Sequence, residues 1–124
     1  MVYWEQINQE RGSNAMKDHD MLAVLKALSN ETRLNILCWL REPENLEPNL
    51  PEVIKQEFPG SVCVGSIQEK SGLAQSVISS YLASLLKSGL LEYRRYGQYT
   101  YYRLNEKGID AFLEQFAAKL KAKK

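Results

Sequence analysis

Hydrophobic side chains recur with helical spacing in several stretches of the chain, and each stretch predicts an amphipathic helix. The first stretch begins at Met21 and ends at Leu28. The second follows Asn30, a residue type that favours the N-cap position, and is apolar around most of its circumference up to Leu40. We expect a helix of that kind to lie in the middle of a small core, and Pro43 to end it.

The most regular pattern lies between Gln75 and Ser88, where apolar residues form one complete helical face. Those residues are Val77, Ile78, Tyr81, Leu82, Leu85 and Leu86. The opposite face carries mostly small side chains, and Gly89 ends the helix. A short helix over 66–71, closed by Gly72, precedes it. Two helices joined by a short glycine-containing turn predict a helix-turn-helix.

Alternation with a period of two follows from Leu90 to Leu104, and it is interrupted by Tyr96-Gly97-Gln98. This pattern predicts a β-hairpin, and a last amphipathic helix follows it. The proline-rich stretch 43–60 predicts a linker with a short helix at 51–57, and 62–65 predicts a short strand. The predicted fold is mainly α (α+β), a winged helix-turn-helix of about five helices with a β-hairpin wing.

The length of 124 residues allows one domain with a modest core. We predict an N-terminal extension over 1–20, a winged helix-turn-helix domain over 21–116, and a basic tail over 117–124. Residues 11–15 resemble a cloning remnant, so the natural chain is expected to begin at Met16.

Composition is that of an ordinary globular protein, with 44% hydrophobic and 25% charged residues. No apolar run is long enough for a membrane span, no secretory signal precedes the domain, and the two cysteines suit a reducing compartment. We therefore expect a cytoplasmic protein without membrane association. The net charge of +1 does not by itself indicate a nucleic-acid partner. The stretch 42–57 is acidic and the stretch 87–107 is basic, and a basic half turned away from an acidic half permits contact with a polyanion.

The small outer face of the 75–88 helix suits a helix that enters the major groove, because bulky side chains would hold it away from the bases. Serine is a mediocre helix former, so a merely solvated face would more usually carry Glu and Lys. Arginines near the hairpin tip suit phosphate or minor-groove contacts, although a solvated edge is the alternative. The predicted DNA-contacting residues are Gln75, Ser76, Ser79, Ser80, Ala83, Lys87, Arg94, Arg95 and Gln98.

Three segments in this order resemble the ArsR/SmtB family of bacterial transcriptional repressors over about residues 21–116. They are LSNETRLNIL at 28–37, GLAQSVISSYL at 72–82, and the hairpin with Gly89-Leu90-Leu91, Arg94-Arg95 and Tyr101-Tyr102-Arg103-Leu104. The resemblance implies a homodimer, paired through its first and last helices, that binds a palindromic operator in double-stranded DNA and leaves it when a signal arrives.

The implied dimer interface consists of apolar residues on the two terminal helices: Met21, Leu22, Leu25, Phe112, Leu113 and Phe116. The alternative is that these side chains cover the core of their own chain. Two departures from the family pattern matter. Ala74 stands where the family often has a capping serine, which weakens the helix start by roughly 1 kcal/mol. Ser80-Tyr81 replaces a common Arg-His pair, so no operator sequence follows from the resemblance.

The family's usual metal sites are incomplete here, since only Cys63 remains of a Cys-x-Cys motif and the last helix has no histidine. We predict no metal and no cofactor, and the effector is not assigned. A thiol-sensing repressor using Cys38 and/or Cys63 is an alternative, although two buried cysteines acting as small hydrophobes are the simpler expectation. A winged-helix module that binds protein predicts an apolar outer helix face, which is lacking. An enzyme using Cys63 with His19 lacks any third orienting residue, so no enzymatic activity is expected.

Overall fold

The computed structural model describes residues 18–121, which contain six α-helices, one 3₁₀ turn and three strands. In chain order the elements are α1 (Asp18–Leu28), α2 (Glu31–Leu40), the 3₁₀ turn (Pro43–Asn45), α3 (Glu52–Glu57), β1 (Val62–Cys63), α4 (Val64–Ser71), α5 (Gln75–Lys87), β2 (Leu91–Tyr96), β3 (Tyr99–Leu104) and α6 (Glu106–Leu120). The predicted winged helix-turn-helix is confirmed. The short helix expected in the linker is α3, which brings the number of helices from the expected five or so to six.

Side-chain caps start two of these helices. The Oδ1 atom of Asn30 accepts a hydrogen bond from the backbone N–H of Arg33 at 2.9 Å, which confirms the predicted N-cap of α2. Asn105 caps α6 in the same way through the N–H of Gly108 at 3.1 Å. Ala74 stands at the N-cap position of α5 and offers no side-chain acceptor, as the sequence predicted.

The sheet has the strand order β1-β3-β2, and all pairs are antiparallel. Its longer part is the hairpin of β2 and β3, in which Leu91 pairs with Leu104 and Tyr96 with Tyr99. The turn between the strands is Gly97-Gln98, and Gly97 adopts a φ of 64°, a conformation that glycine accommodates without strain. This hairpin is the wing.

The main core lies between α1, α2, α4, α5, α6 and the inner face of the sheet. Its fully buried members include Ile36, Ile67, Ile78, Leu82 and Leu85. The expectation that α2 lies in the middle of the core is wrong for one side of the helix, because Leu34 is 45% exposed and Cys38 is also exposed. The fully buried residues of α2 are Ile36 and Leu40, and Leu37 and Trp39 are half-buried against the same core.

A second, smaller core lies under α3, on the outer face of the sheet. It is formed by Ile54, Phe58 and Tyr101, with Leu50, Cys63 and Tyr96 packed against them. The stretch 43–60 is therefore not a plain linker, since its helix covers the side of the wing that faces away from the main core.

The predicted boundaries at 20 and 116 fall inside helices, since α1 begins at Asp18 and α6 continues to Leu120. Residues 1–17 of the predicted extension and residues 122–124 of the predicted tail lie outside the described residues, so the domain division stays a prediction. No helix within residues 18–121 combines the length and the apolar character needed to cross a membrane.

Candidate nucleic-acid interface

The turn between α4 and α5 is fixed by a glycine and a serine. Gly72 ends α4 with a φ of 70°, and its N–H donates to the carbonyl of Gln68 at 3.0 Å. The hydroxyl of Ser71 donates to the same carbonyl at 2.8 Å and accepts from the N–H of Leu73 at 3.0 Å. These bonds set the angle at which α5 leaves the turn.

Helix α5 divides into a buried face and an open face. Ile78, Leu82 and Leu85 have no exposed surface, because they pack into the main core. Every residue that the sequence predicted for DNA contact on this helix is exposed: Gln75, Ser76, Ser79, Ser80, Ala83 and Lys87. The open face is slim and uncharged except for Lys87 in its last turn.

Tyr81 connects α5 to the start of α2. Its hydroxyl accepts a hydrogen bond from Nδ2 of Asn30 at 3.4 Å, and the guanidinium of Arg33 lies 5.1 Å from its ring centroid. Arg33 also donates through Nε to the carbonyl of Ala27 at 2.7 Å, at the end of α1. The sequence reasoning missed Arg33, although its place in the LSNETRLNIL segment was a usable signal.

The two adjacent arginines of β2 point in opposite directions, as neighbouring residues on a strand must. Arg95 lies on the strand face of Leu91, the face that packs on the main core, and it is exposed. It has no hydrogen bond or ion pair to any of residues 18–121. Arg94 lies on the other face, where its Nη1 donates to the carbonyl of Glu57 at 3.0 Å. Gln98, in the turn, is exposed.

Tyr93 and Tyr102 lie on the same face of the wing as Arg95. Burial raises the pKa of the Tyr102 hydroxyl, its neighbour Tyr93 raises it further, and Arg95 opposes the rise. The predicted separation of an acidic half and a basic half is incomplete, because two arginines of the basic stretch lie against the acidic stretch. Arg94 and Arg103, both in the basic stretch, contact backbone carbonyls of residues 57–59 next to α3.

The terminal helices leave an apolar surface uncovered. Leu22 is 56% exposed and Leu113 is 52% exposed, while Leu25 and Phe116 are half-buried beside them. The prediction of an interface role for Met21 and Phe112 requires correction, because both are buried in the core of their own chain. Leu120, which is 69% exposed, extends the surface and was not predicted.

The two cysteines lie in different parts of the fold. Cys38 is exposed and lines an apolar groove of about 440 Å³ between α2 and α6, so the expectation of a buried thiol is wrong for it. Cys63 is half-buried in the cluster under α3, and its N–H donates to Glu47 at 3.1 Å. Both are free thiols, and thiol sensing stays a prediction. The side chain of His19 lies outside the described part of the chain.

Among residues 18–121, no three His, Cys, Asp or Glu side chains lie close enough together to hold a metal ion.

The fold and the open face of α5 define a winged helix-turn-helix DNA-binding regulator. No protein-family model matches this sequence.

Individual relatives do match it. The chain is 46% identical over 89 residues to YbzH of Bacillus subtilis, an uncharacterised HTH-type transcriptional regulator. The matched residues cover 71% of this chain and 86% of YbzH. It is 31% identical over 106 residues to the transcriptional activator HlyU of Vibrio cholerae, covering 86% of this chain and 80% of HlyU. The chain belongs to the HTH-type transcriptional regulators, and within them to the ArsR type.

Two solved structures share the fold at useful identity. One is the homodimeric winged helix-turn-helix DNA-binding domain of Mb0332 from Mycobacterium bovis, with a TM-score of 0.53 and 28% identity over 84% of this chain and 88% of that domain. The other is the transcriptional repressor BigR of Xylella fastidiosa, with a TM-score of 0.52 and 26% identity over 87% of this chain and all of the BigR chain. These matches confirm the predicted resemblance.

Proposed function

We propose that the chain is a transcriptional repressor that binds a palindromic operator in double-stranded DNA as a homodimer. The observation that carries the proposal is the slim open face of α5, together with the exposed Arg95 of the wing. A helix with its side chains is about 10–12 Å across, and the major groove is about 12 Å wide, so small outer side chains are required for close approach.

In this proposal the residues of the interface have different tasks. Gln75 lies in the first turn of α5, where its amide can pair with base edges. Ser76, Ser79, Ser80 and Ala83 keep the helix face thin. Lys87 and Arg95 neutralise phosphates on either side, and Gln98 extends the contact from the wing turn. Arg94 is a special case, because its guanidinium already has partners within the chain.

The homodimer is supported by the uncovered surface of Leu22, Leu113 and Leu120 and by the homodimeric Mb0332 domain. A two-fold dimer presents two α5 helices to two half-sites, which gives the operator its palindromic form. Repression is supported by BigR, which is a repressor, while HlyU is an activator. A protein built from a DNA face and a dimer face acts most simply by occupying its operator, and it acts in the cytoplasm, where bacterial DNA lies.

The test of DNA binding is selection of bound sequences from random duplexes, followed by affinity measurements at several salt concentrations. We expect a palindromic consensus and an affinity that falls steeply with salt. Lys87→Gln lowers the slope of log K against log[salt] by about one, because one phosphate contact is lost. Lys55→Gln removes the same charge from α3 and leaves the slope unchanged. An affinity that ignores salt contradicts the proposal.

The test of the dimer is sedimentation of two variants with matched exposure. Leu113 in α6 is 52% exposed and Val53 in α3 is 54% exposed, so neither change disturbs the core. We expect Leu113→Glu to give a monomer with little operator affinity, and Val53→Glu to remain dimeric. A wild-type chain that sediments as a monomer at micromolar concentration contradicts the dimer and, with it, the palindromic operator.

A further inference from the structure

The outer part of the wing is a two-stranded ribbon. Strand β1 contains only two residues and pairs with Tyr101 and Tyr102, so the hairpin from Tyr96 to Thr100 has no third strand. An isolated two-stranded hairpin is only marginally stable in water and is strongly twisted. The orientation of the outer wing must therefore be set by packing against another part of the chain.

The packing is supplied by α3 and the residues that follow it. Phe58 is 1% exposed, and two wing arginines lie against its ring. The guanidinium carbon of Arg103 is 4.2 Å from the ring centroid and that of Arg94 is 4.9 Å from it. Both distances are within the range of cation–π attraction. One arginine comes from each strand of the hairpin, so the ring joins both strands to the 43–60 segment.

Backbone carbonyls on either side of Phe58 complete the contact. The carbonyl of Glu57 accepts from Nη1 of Arg94 at 3.0 Å, and the carbonyl of Pro59 accepts from Nη1 of Arg103 at 3.0 Å. Arg103 is oriented by Glu92, whose carboxylate accepts from its Nε at 2.7 Å. The aromatic ring of Tyr96 meets Tyr101 edge-on on the same face, with centroids 5.9 Å apart.

We propose that Phe58 and Arg94 position the wing, and that Arg95 is the wing arginine that contacts phosphate. This inference rests on the proposed DNA-binding function and assigns a role to the 43–60 segment, which sets the direction of the wing relative to α5. Arg94 and Arg95 have the same chemistry and adjacent positions. Only their faces differ, since Arg94 is stacked on Phe58 and Arg95 is open on the side of the main core.

The experiment compares the same substitution at adjacent positions in the full chain, using a duplex selected by the wild-type protein. We expect Arg94→Gln and Arg95→Gln each to weaken binding about threefold to tenfold. Only Arg95→Gln lowers the slope of log K against log[salt], by about one, because only that variant loses a phosphate contact. A slope lowered equally by Arg94→Gln overturns the inference while leaving the proposed function intact.

A double-mutant cycle with Phe58→Leu gives a second, independent reading. In the Phe58→Leu background Arg94→Gln causes no further loss of affinity, whereas Arg95→Gln causes its full loss. Additive losses for Phe58→Leu and Arg94→Gln overturn the inference.

A measurement without DNA tests the positioning of the wing by Phe58 and Arg94 separately from the phosphate contact of Arg95. Phe58→Leu and Arg94→Gln accelerate amide hydrogen exchange at residues 96–100 and leave the amides of α5 unchanged, while Arg95→Gln has no effect on either set. Unchanged exchange in the wing overturns the positioning role. A wild-type chain that selects no duplex overturns the proposed function, and the exchange data still decide whether Phe58 and Arg94 hold the wing.

Discussion

Gly108 in the first turn of α6 tests how closely this helix packs against the residues that follow α5. A Cβ atom built at this position would overlap the carbonyl oxygen of Gly89, well inside van der Waals contact. It would also lie 3.1 Å from Nδ2 of Asn105, the residue that caps the helix. Gly89 follows the end of α5, so Gly108→Ala pushes the start of α6 away from the helix that we propose enters DNA.

Two effects of opposite sign meet in this substitution. Alanine is a better helix former than glycine by about 1 kcal/mol, which on its own stabilises α6. The clash involves a backbone carbonyl that no rotamer change can move, so its cost is at the upper end of the usual range for overpacking, about 3 kcal/mol. The clash therefore dominates, and the free energy of unfolding falls by about 2 kcal/mol, or about 10 °C in Tm.

Gly65 provides the matched control. It lies in the first turn of α4, and a Cβ atom there has no neighbour within 4 Å. We expect Gly65→Ala to raise the free energy of unfolding by a few tenths of a kcal/mol up to about 1 kcal/mol, because only the propensity effect remains. Urea denaturation measures the free energy of unfolding of both variants, which we expect to fall for Gly108→Ala and to rise for Gly65→Ala. A Gly108→Ala variant as stable as wild type would refute the close approach of α6 to Gly89.

Three further predictions concern caps and pH. Ala74→Ser supplies the missing N-cap of α5 and raises the free energy of unfolding by about 1 kcal/mol in urea denaturation; an unchanged midpoint contradicts this. Asn30→Ala removes an observed cap and lowers the same quantity by about 1–2 kcal/mol, whereas Asn30→Asp keeps the acceptor and most of the stability. The pKa of Tyr102 is raised by burial and then by Tyr93, so the folded chain holds this proton more tightly than the unfolded chain. The contribution of Tyr102 to stability is full below about pH 10 and is lost as the pH rises through its folded-state pKa. We therefore expect the free energy of unfolding to fall less at alkaline pH in Tyr102→Phe than in wild type, whereas Tyr99→Phe behaves like wild type.

The recognisable parts of the fold were those with strong local signals. The apolar face of 75–88 has the period of a helix, and the stretch 90–104 has the period of a strand, so both elements and the turn between β2 and β3 were predictable. Asn30 and Gly72 mark a helix start and a helix end by local chemistry alone. The open face of α5 follows directly from that periodicity.

The remaining features depend on contacts between residues distant in sequence. Phe58 is a single aromatic residue in a polar, proline-rich stretch, and nothing local indicates that Arg94 and Arg103 would stack on it. Met21 and Phe112 belong to amphipathic helices whose apolar stripes are wide enough to serve both the core and an outer surface. Periodicity shows that such a stripe is apolar, but the neighbouring elements decide which of its residues are buried.

These distant contacts join the two surfaces on which repression depends in our proposal. Helix α5 is tied to α2 through Tyr81 and Asn30, and the segment after α5 is tied to α6 because the N–H of Asn105 donates to the carbonyl of Leu90 at 2.9 Å. Helix α6 carries Leu113, so the distance from the DNA face to the dimer face is fixed within each chain by short, rigid contacts. In a two-fold dimer that distance sets the separation of the two α5 helices and hence the spacing of the operator half-sites. A variant that shifts α6 against Gly89 should therefore select a different half-site spacing from random DNA before it loses affinity for a single half-site.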